Sequence, residues 1–444
     1  MNRLKKDTWC TLKLAFPIII ENTLQTLLGT TDTYFAGQLT DTAIAGINIT
    51  NIIMNIFISF FTAVSIGTTA IVTRSYGKKD YEKTNKSMVQ SIIIGFWLGL
   101  TIGIICFIFY KQFLMVSKTP KTIIEYATPY YFVVAIPSIF LCLQLILSSC
   151  LRAVKDTKTP MYITGLSNIL NILLDTLFIH LGYGVLGLAL ATTLSRIIGM
   201  LLLFYKLQRH DTNIKFCKKD FVADRKLIKT ILTIGIPAGA EKLIMRIGQL
   251  LYNNMIISIS VTAYAAHNIA GTIESYSYIP AMGFGLAAST LVGTSLGEQK
   301  IEDAKKYTYI SYLLSAICMI IIGAVFYIFA KPLASLFTTT KETQLFVASV
   351  LRIIAFFQPF SALVQVMTNS LQGAGDTKFP MYSTLIGIWG IRLGIGYLLA
   401  IPFRLGLKGV WYAYAFDLVI RGLILLIRFY NGKWEEIIIS VDKK

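Results

Sequence analysis

The sequence predicts an all-α integral membrane protein: twelve transmembrane helices in two six-helix bundles related by a pseudo-twofold axis. Three observations carry this. The 444 residues are 55% hydrophobic and 14% charged, with a mean hydropathy of +0.64, whereas a soluble chain is about a quarter charged. Apolar blocks near the length of about 20 residues that a spanning helix needs recur from end to end. Finally, "TKTPMY" at 157–162 returns as "TKFPMY" at 377–382, an offset of 220 residues.

Taken in order, the blocks fall at 14–38, 44–73, 87–110, 123–151, 160–181 and 185–207, then 229–258, 263–293, 306–329, 343–372, 380–402 and 407–430. Several are long enough to imply tilted or bent helices. The first follows the basic "MNRLKKDTWCTLK" and continues as a full span, so it is expected to be retained and not cleaved as a signal peptide. Pro17, Pro137, Pro237 and Pro359 interrupt helical blocks and predict kinks, Pro17 also a hinge. Gly95, Gly99 and Gly103 form a GxxxGxxxG row in the third block, which predicts close helix packing.

Sliding the chain by 220 residues aligns Pro17 with Pro237, Glu21 with Glu241, Ser75 with Ser295, Gly77 with Gly297 and Asp156 with Asp376. The chain therefore reads as a duplication. Residues 1–215 form one lobe, 216–228 a cytoplasmic linker, and 229–444 the second lobe. Six spans per half keep both halves in one orientation, so the axis should lie along the membrane normal.

The net charge of +18 is placed by topology. With the N-terminus inside, 28 of the 41 Lys and Arg fall on the inner side, seven outside and six within the spans, span ends being counted with their loops. This is the positive-inside pattern of a cell-membrane protein with both termini cytoplasmic. The basic loops "RSYGKKDYEKTNK" and "YKLQRHDTNIKFCKKDFVADRKLIK" explain the charge without nucleic acid. They either touch anionic headgroups or are simply solvated.

Enzyme chemistry finds no support. His180, His210 and His267 are far apart, and the six cysteines show no metal or disulfide spacing. No P-loop is present for ATP-driven transport, and no cofactor is expected.

Acids inside the spans are the candidate functional residues, because an ionised Asp at the bilayer centre costs a few kcal/mol or more. In "NILNILLDTLFI", Thr164, Asn168, Asn171 and Asp175 are spaced 4, 3 and 4 and share one helix face. Burial without a full partner disfavours the charged carboxylate, so such a group can gain and lose a proton. Asp32 is the second such acid. Glu21 and Glu241, each four residues past a helix proline, read either as cleft acids or as partners of basic groups (Glu21 with Arg196, Glu241 with Lys242 or Arg246). Asp417 and Arg421 are spaced as a self-satisfying i, i+4 pair. Glu274, with Tyr276, Tyr278, Met282 and Phe284 near it, offers a cation–π surface or ordinary packing.

The chain resembles the multidrug and toxic compound extrusion (MATE) transporters over nearly all its length. The features are "PIIIENTLQTLLGTTDTYFAGQL", "SCLRAVKDTKTPMYITGLSNILNILLDTLFI", "GLALATTLSR" and "LQGAGDTKFPMY", in this order and with the repeat. The Asn171/Asp175 pair resembles the prokaryotic DinF-like branch. The resemblance implies secondary active efflux of lipophilic or cationic small molecules by alternating access, driven by H+ or Na+, in a monomer within the bilayer. It also implies a cation-coupling site of Asp32, Asn171, Asp175 and Thr193 with Tyr130 nearby, Thr192 replacing Thr193 if the register slips by one. Asp32, Asn171 and Asp175 would ligate the metal if Na+ is the coupling ion. A substrate cleft would be lined by Glu21, Glu241, Glu274, Tyr276, Tyr278 and Met282. Two close carboxylates would share a proton or enclose a cation. Offset by 220, Asp32 becomes Tyr252 and Asp175 becomes Ile395, so this site has no twin. The Glu found deeper in the seventh helix of many members is Met245 here. The alternative is a flippase for lipid-linked oligosaccharides of the same superfamily; the six intramembrane acids, which match the six basic residues, argue against the cationic cavity it would need.

Overall fold

The computed structural model describes residues 2–116, 120–209, 214 and 216–437, and these are almost entirely helical. His210 lies outside the described residues. The helices are α1 (Asn2–Leu39), α2 (Asp41–Gly77), α3 (Tyr81–Ile108), α4 (Tyr110–Val116), α5 (Lys121–Val134), α6 (Ser138–Ala153), α7 (Lys158–His180) and α8 (Gly184–Gln208). After a 3-10 turn at Lys218–Phe221 come α9 (Arg225–Ile259), α10 (Val261–Gly297), α11 (Ile301–Ile328), α12 (Ala330–Ser335), α13 (Lys341–Ala355), α14 (Gln358–Ala374) and α15 (Lys378–Leu385). A π-helical segment, Ile386–Ile395, leads into α16 (Gly396–Ala400), and α17 (Gly406–Tyr430) closes the series.

The twelve apolar blocks are all realised. Eight are helices long and apolar enough to span on their own, and two are bent pairs. The α5–α6 pair bends by 51° and the α13–α14 pair by 58°, at Pro137 and next to Pro359, where a proline removes a backbone donor. The remaining two are α1 and α9, whose polar residues, Glu21 and Asp32 in one and Glu241 in the other, lower their hydropathy.

The duplication holds element by element. Helices α2 and α10 are both 37 residues long, and α3 and α11 both 28. Thr40 and Ser260 cap α2 and α10 in the same way, each accepting the amide three residues on. The turns that follow place Lys79 and Gln299 at φ of 59° and 61°.

The described residues form two compact units, residues 20–239 and residues 2–19 with 240–437. The boundaries fall inside α1 and α9, each two residues past the helix proline, whereas the sequence division falls at the 216–228 linker. In the N-terminal unit (20–239) the α3 glycine row packs closely on α6 and on the bend that precedes it. A Cβ on Gly99 would lie 2.6 Å from Ile139 Cα, and one on Gly103 2.3 Å from the Ile136 carbonyl oxygen. The start of α9 packs here too, with Gly235 against the Ala63 carbonyl of α2. In the C-terminal unit (2–19 and 240–437), Leu14, Ala15 and Ile18 of α1 pack with Phe284, Ala287 and Leu291 of α10. Asp7 pairs there with Lys306.

The linker is held on α3. Buried Gln90 donates to the carbonyls of Asp220 and Val222, both at 2.9 Å, and accepts from the Asp224 amide at 3.0 Å. Asp224 caps α9 through the Lys226 and Leu227 amides and pairs with Lys86 at 2.6 Å. The Lys86 ammonium holds the Asp224 carboxyl below the usual carboxylate range.

Candidate functional site

In the N-terminal unit, α1, α5, α7 and α8 bring polar side chains together inside an apolar shell that includes Ala36, Ile47, Val134 and Leu188. The α7 stripe is real: Thr164, Asn168, Asn171 and Asp175 are all buried. Asn168 donates to the Leu24 carbonyl of α1 at 2.6 Å, tying the two helices together. Asp32, 4% exposed, accepts at Oδ2 from the Tyr130 hydroxyl and from Thr192 Oγ1, each at 3.1 Å. Asn171 Nδ2 donates to Thr192 Oγ1 at 3.5 Å, a long and weak bond. Arg196 on α8 acts on Asp32 electrostatically without bonding to it.

Four buried oxygens here find no hydrogen-bond partner among the described residues: Asp32 Oδ1, Asn171 Oδ1 and both oxygens of Asp175. Two carboxylates so placed carry more negative charge than their donors answer. Unpaired oxygens of Asp and Asn also suit a small hard cation.

One expected member belongs elsewhere. Thr193 Oγ1 donates to the Val133 carbonyl at 2.7 Å, and it is Thr192 that faces Asp32. One residue is a rotation of about 100° on a helix, enough to turn the hydroxyl from α1 toward α5.

Glu21 is fully buried and held by Arg152 Nη1 at 2.8 and 3.0 Å, not by Arg196. Its repeat mate Glu241 accepts from Gln372 Nε2 at 2.9 Å and Thr384 Oγ1 at 3.4 Å, not from Lys242 or Arg246. Arg152 and Gln372 are themselves 220 residues apart. The two partners therefore occupy equivalent positions of the repeat, although the repeat alone does not say which acid each one meets.

The C-terminal unit holds a second polar cluster. Glu274, 5% exposed, accepts from the Tyr414 hydroxyl at 2.7 Å, and Tyr414 is also hydrogen-bonded to Tyr278. The pair Asp417–Arg421 forms as expected, at 3.0 Å, but Arg392 joins it, with Nη2 at 2.6 Å and Nε at 3.1 Å from the same Asp417 Oδ2. The signal for Arg392 was its standing as the one basic residue between 380 and 402, since an intramembrane arginine needs an acid. Tyr276 and Met282 do not join this group. They are 45% and 40% exposed, and Tyr276 lies about 200° around the helix from Glu274. Phe284 packs in the α1–α10 apolar cluster.

A family model described as MatE matches residues 17–177 and again 237–398, both within the two halves of the repeat. The chain belongs to the MATE family. Its relatives and structural matches are named as multidrug resistance proteins and MATE transporters, so this is a transporter fold. Among its relatives is a probable multidrug resistance protein NorM of Thermotoga maritima, 30% identical over 437 residues, covering 96% of this chain and 92% of the relative. The uncharacterized transporter YisQ of Bacillus subtilis is 26% identical, covering 96% and 95%. Two solved structures share the fold. A MATE protein in the bent conformation superposes with a TM-score of 0.91 at 23% identity, covering 99% of this chain and 98% of the other. An outward-facing multidrug resistance MATE transporter gives 0.91 at 23%, covering 99% and 97%.

Proposed function

We propose that this chain is a secondary active exporter of lipophilic, cationic small molecules, driven by inward movement of H+ or Na+. It acts as a monomer in the cell membrane with both termini cytoplasmic. The observation that carries this reading is the set of four unpartnered oxygens on Asp32, Asn171 and Asp175 in a buried, apolar surround. Such a cluster is costly when empty and ionised, and is relieved by one proton or one small cation.

Neutralisation changes what α1 must offer Asp32. The residues up to Ile19 pack in the C-terminal unit, whereas Asp32 sits in the N-terminal unit. Pro17 lies just before the boundary, where a helix lacks a backbone hydrogen bond. A cation at Asp32 and a drug elsewhere then each favour one of two conformations, and antiport follows from that opposition.

The test is transport in proteoliposomes with pH and Na+ gradients imposed independently. A lipophilic cation should be driven by one gradient or the other in the wild type. Export indifferent to both gradients would overturn the proposal.

A further inference from the structure

We propose that Glu274 is a proton-binding site separate from the Asp32–Asp175 cluster, and that Arg392 is a tethered cation that moves between Asp417 and Glu274 as that proton leaves and returns. The argument concerns the C-terminal unit alone and does not depend on the export reading.

Partners in the cluster are distributed unevenly. Two guanidinium groups, Arg392 and Arg421, converge on one oxygen, Asp417 Oδ2, while Asp417 Oδ1 and Arg421 Nε have no partner among the described residues. Glu274, equally buried, receives the neutral hydroxyl of Tyr414 and no guanidinium. With Glu274 protonated, each charge has its partner, but one positive charge is in excess. With Glu274 ionised, two acids balance two arginines, but a buried carboxylate is left with a neutral donor. Each form leaves one charge imperfectly answered, and a switch requires two such states close in free energy.

The means of movement is present. Arg392 lies 4.0 Å from the centroid of the Tyr414 ring, and Tyr414 is the residue that holds Glu274. Asp417 would keep Arg421 if Arg392 left. Arg392 is carried on the π-helical segment Ile386–Ile395, whose wide turn is a common feature of functional sites. Gly390 within it has open space around its Cα, whereas Gly387 gives Asp417 its seat: a Cβ there would lie 2.1 Å from Asp417 Oδ1.

The ionisable groups acting on Glu274 are Tyr414 on α17, Arg392 on the π-helical segment and, through its own electrostatics, Tyr278 on α10 and Tyr252 on α9. His267 of α10 stands between the rings of Tyr252 and Trp411 and is acted on electrostatically by Arg392. No charged group from the described residues of α11, α13 and α14, which also pack on α10, is among the groups acting on Glu274.

The experiment is pH-difference infrared spectroscopy on the purified full-length protein in lipid nanodiscs, without drug. Glu274→Gln should remove one protonated-carboxyl band that survives in the Asp32→Asn/Asp175→Asn double variant. The same pH step should perturb guanidinium modes that vanish in Arg392→Lys. A spectrum unchanged by Glu274→Gln, or guanidinium modes indifferent to the step, would overturn the proposal. If Glu274→Gln does not fold, Tyr414→Phe keeps both carboxylates and removes the one bond to Glu274. It must change the frequency of that band, and an unchanged band overturns the proposal equally. Export measured in vesicles has no bearing on either outcome, so failure here is distinct from failure of the export reading.

Discussion

At matching positions of the repeat, the two units hold nearly the same backbone and opposite electrostatics. Asp32 in the N-terminal unit faces Tyr130 and Thr192, and its mate Tyr252 bonds neutrally to the Val410 carbonyl at 2.6 Å. Asn171 and Asp175 sit in a regular helix, while their counterparts fall within or at the end of a π-helical segment with Arg392 beside them. Glu21 has an arginine where Glu241 has a glutamine. Duplication conserves lengths, caps and turns because these fix the bundle. Charge is free to diverge because each buried charge needs only a local answer. The N-terminal unit leaves two acids without a hydrogen-bonded cation, and the C-terminal unit supplies two arginines for its two acids in the cluster.

The sharpest way to break that comparison is to neutralise the uncompensated acids. Asp175→Asn keeps the shape and removes the charge change. Gradient-driven export in proteoliposomes should fall to background while the protein still folds and inserts. Asp32→Asn should match it, and the double variant should be little worse than either, because the two act as a unit. Wild-type coupled export by Asp175→Asn at matched expression would reduce the carboxylate to a structural role.

Next in size is the Glu21–Glu241 contrast. Arg152→Gln strands Glu21, fully buried, without a cation, which should cost about 3–5 kcal/mol. Gln372→Leu takes from Glu241 a neutral donor and should cost about 1–3 kcal/mol. Thermal unfolding in detergent should therefore rank Arg152→Gln below Gln372→Leu. Adding Glu21→Gln should restore most of the loss in the first. Equal destabilisation by the two would mean that the charge on Arg152 is immaterial.

Packing gives a smaller effect. Gly99→Ala drives a Cβ to 2.6 Å from Ile139 Cα, and overpacking of this kind costs about 1–3 kcal/mol. Gly271→Ala in α10, with nothing within 4 Å, should be neutral or slightly stabilising, since alanine is the better helix former. The same melting assay distinguishes them.

The smallest effect concerns the linker. The folded-state carboxyl of Asp224 lies below its unfolded value because Lys86 bonds to it. Its contribution is therefore fully present above the ordinary Asp value of about 3.9 and is lost as pH falls through the lower folded value. The two side chains are partly exposed, 37% and 26%, and solvent screens the pair, so the loss should be under about 1 kcal/mol. Hydrogen exchange at the Lys226 and Leu227 amides, corrected for intrinsic rates, should be flat from neutral pH to about 5 and rise only below about 4. A rise near neutral pH would implicate another group.

The sequence by itself determined the apolar blocks, the duplication, and which acids lie within those blocks. Hydropathy and a constant offset are one-dimensional signals, and the polar stripe on α7 needed only a helical period. Tertiary structure decided who answers each charge. Thr192 and not Thr193 faces Asp32 because a single residue's rotation depends on how α8 seats against α1 and α5. Arg152 and Arg392 meet their acids across 131 and 25 residues of chain, a pairing no local pattern encodes. The division of α1 and α9 between the two units was likewise invisible in the sequence. A helix proline marks where a bend is cheap, but which side each half of the helix packs on is set by the apolar faces it meets.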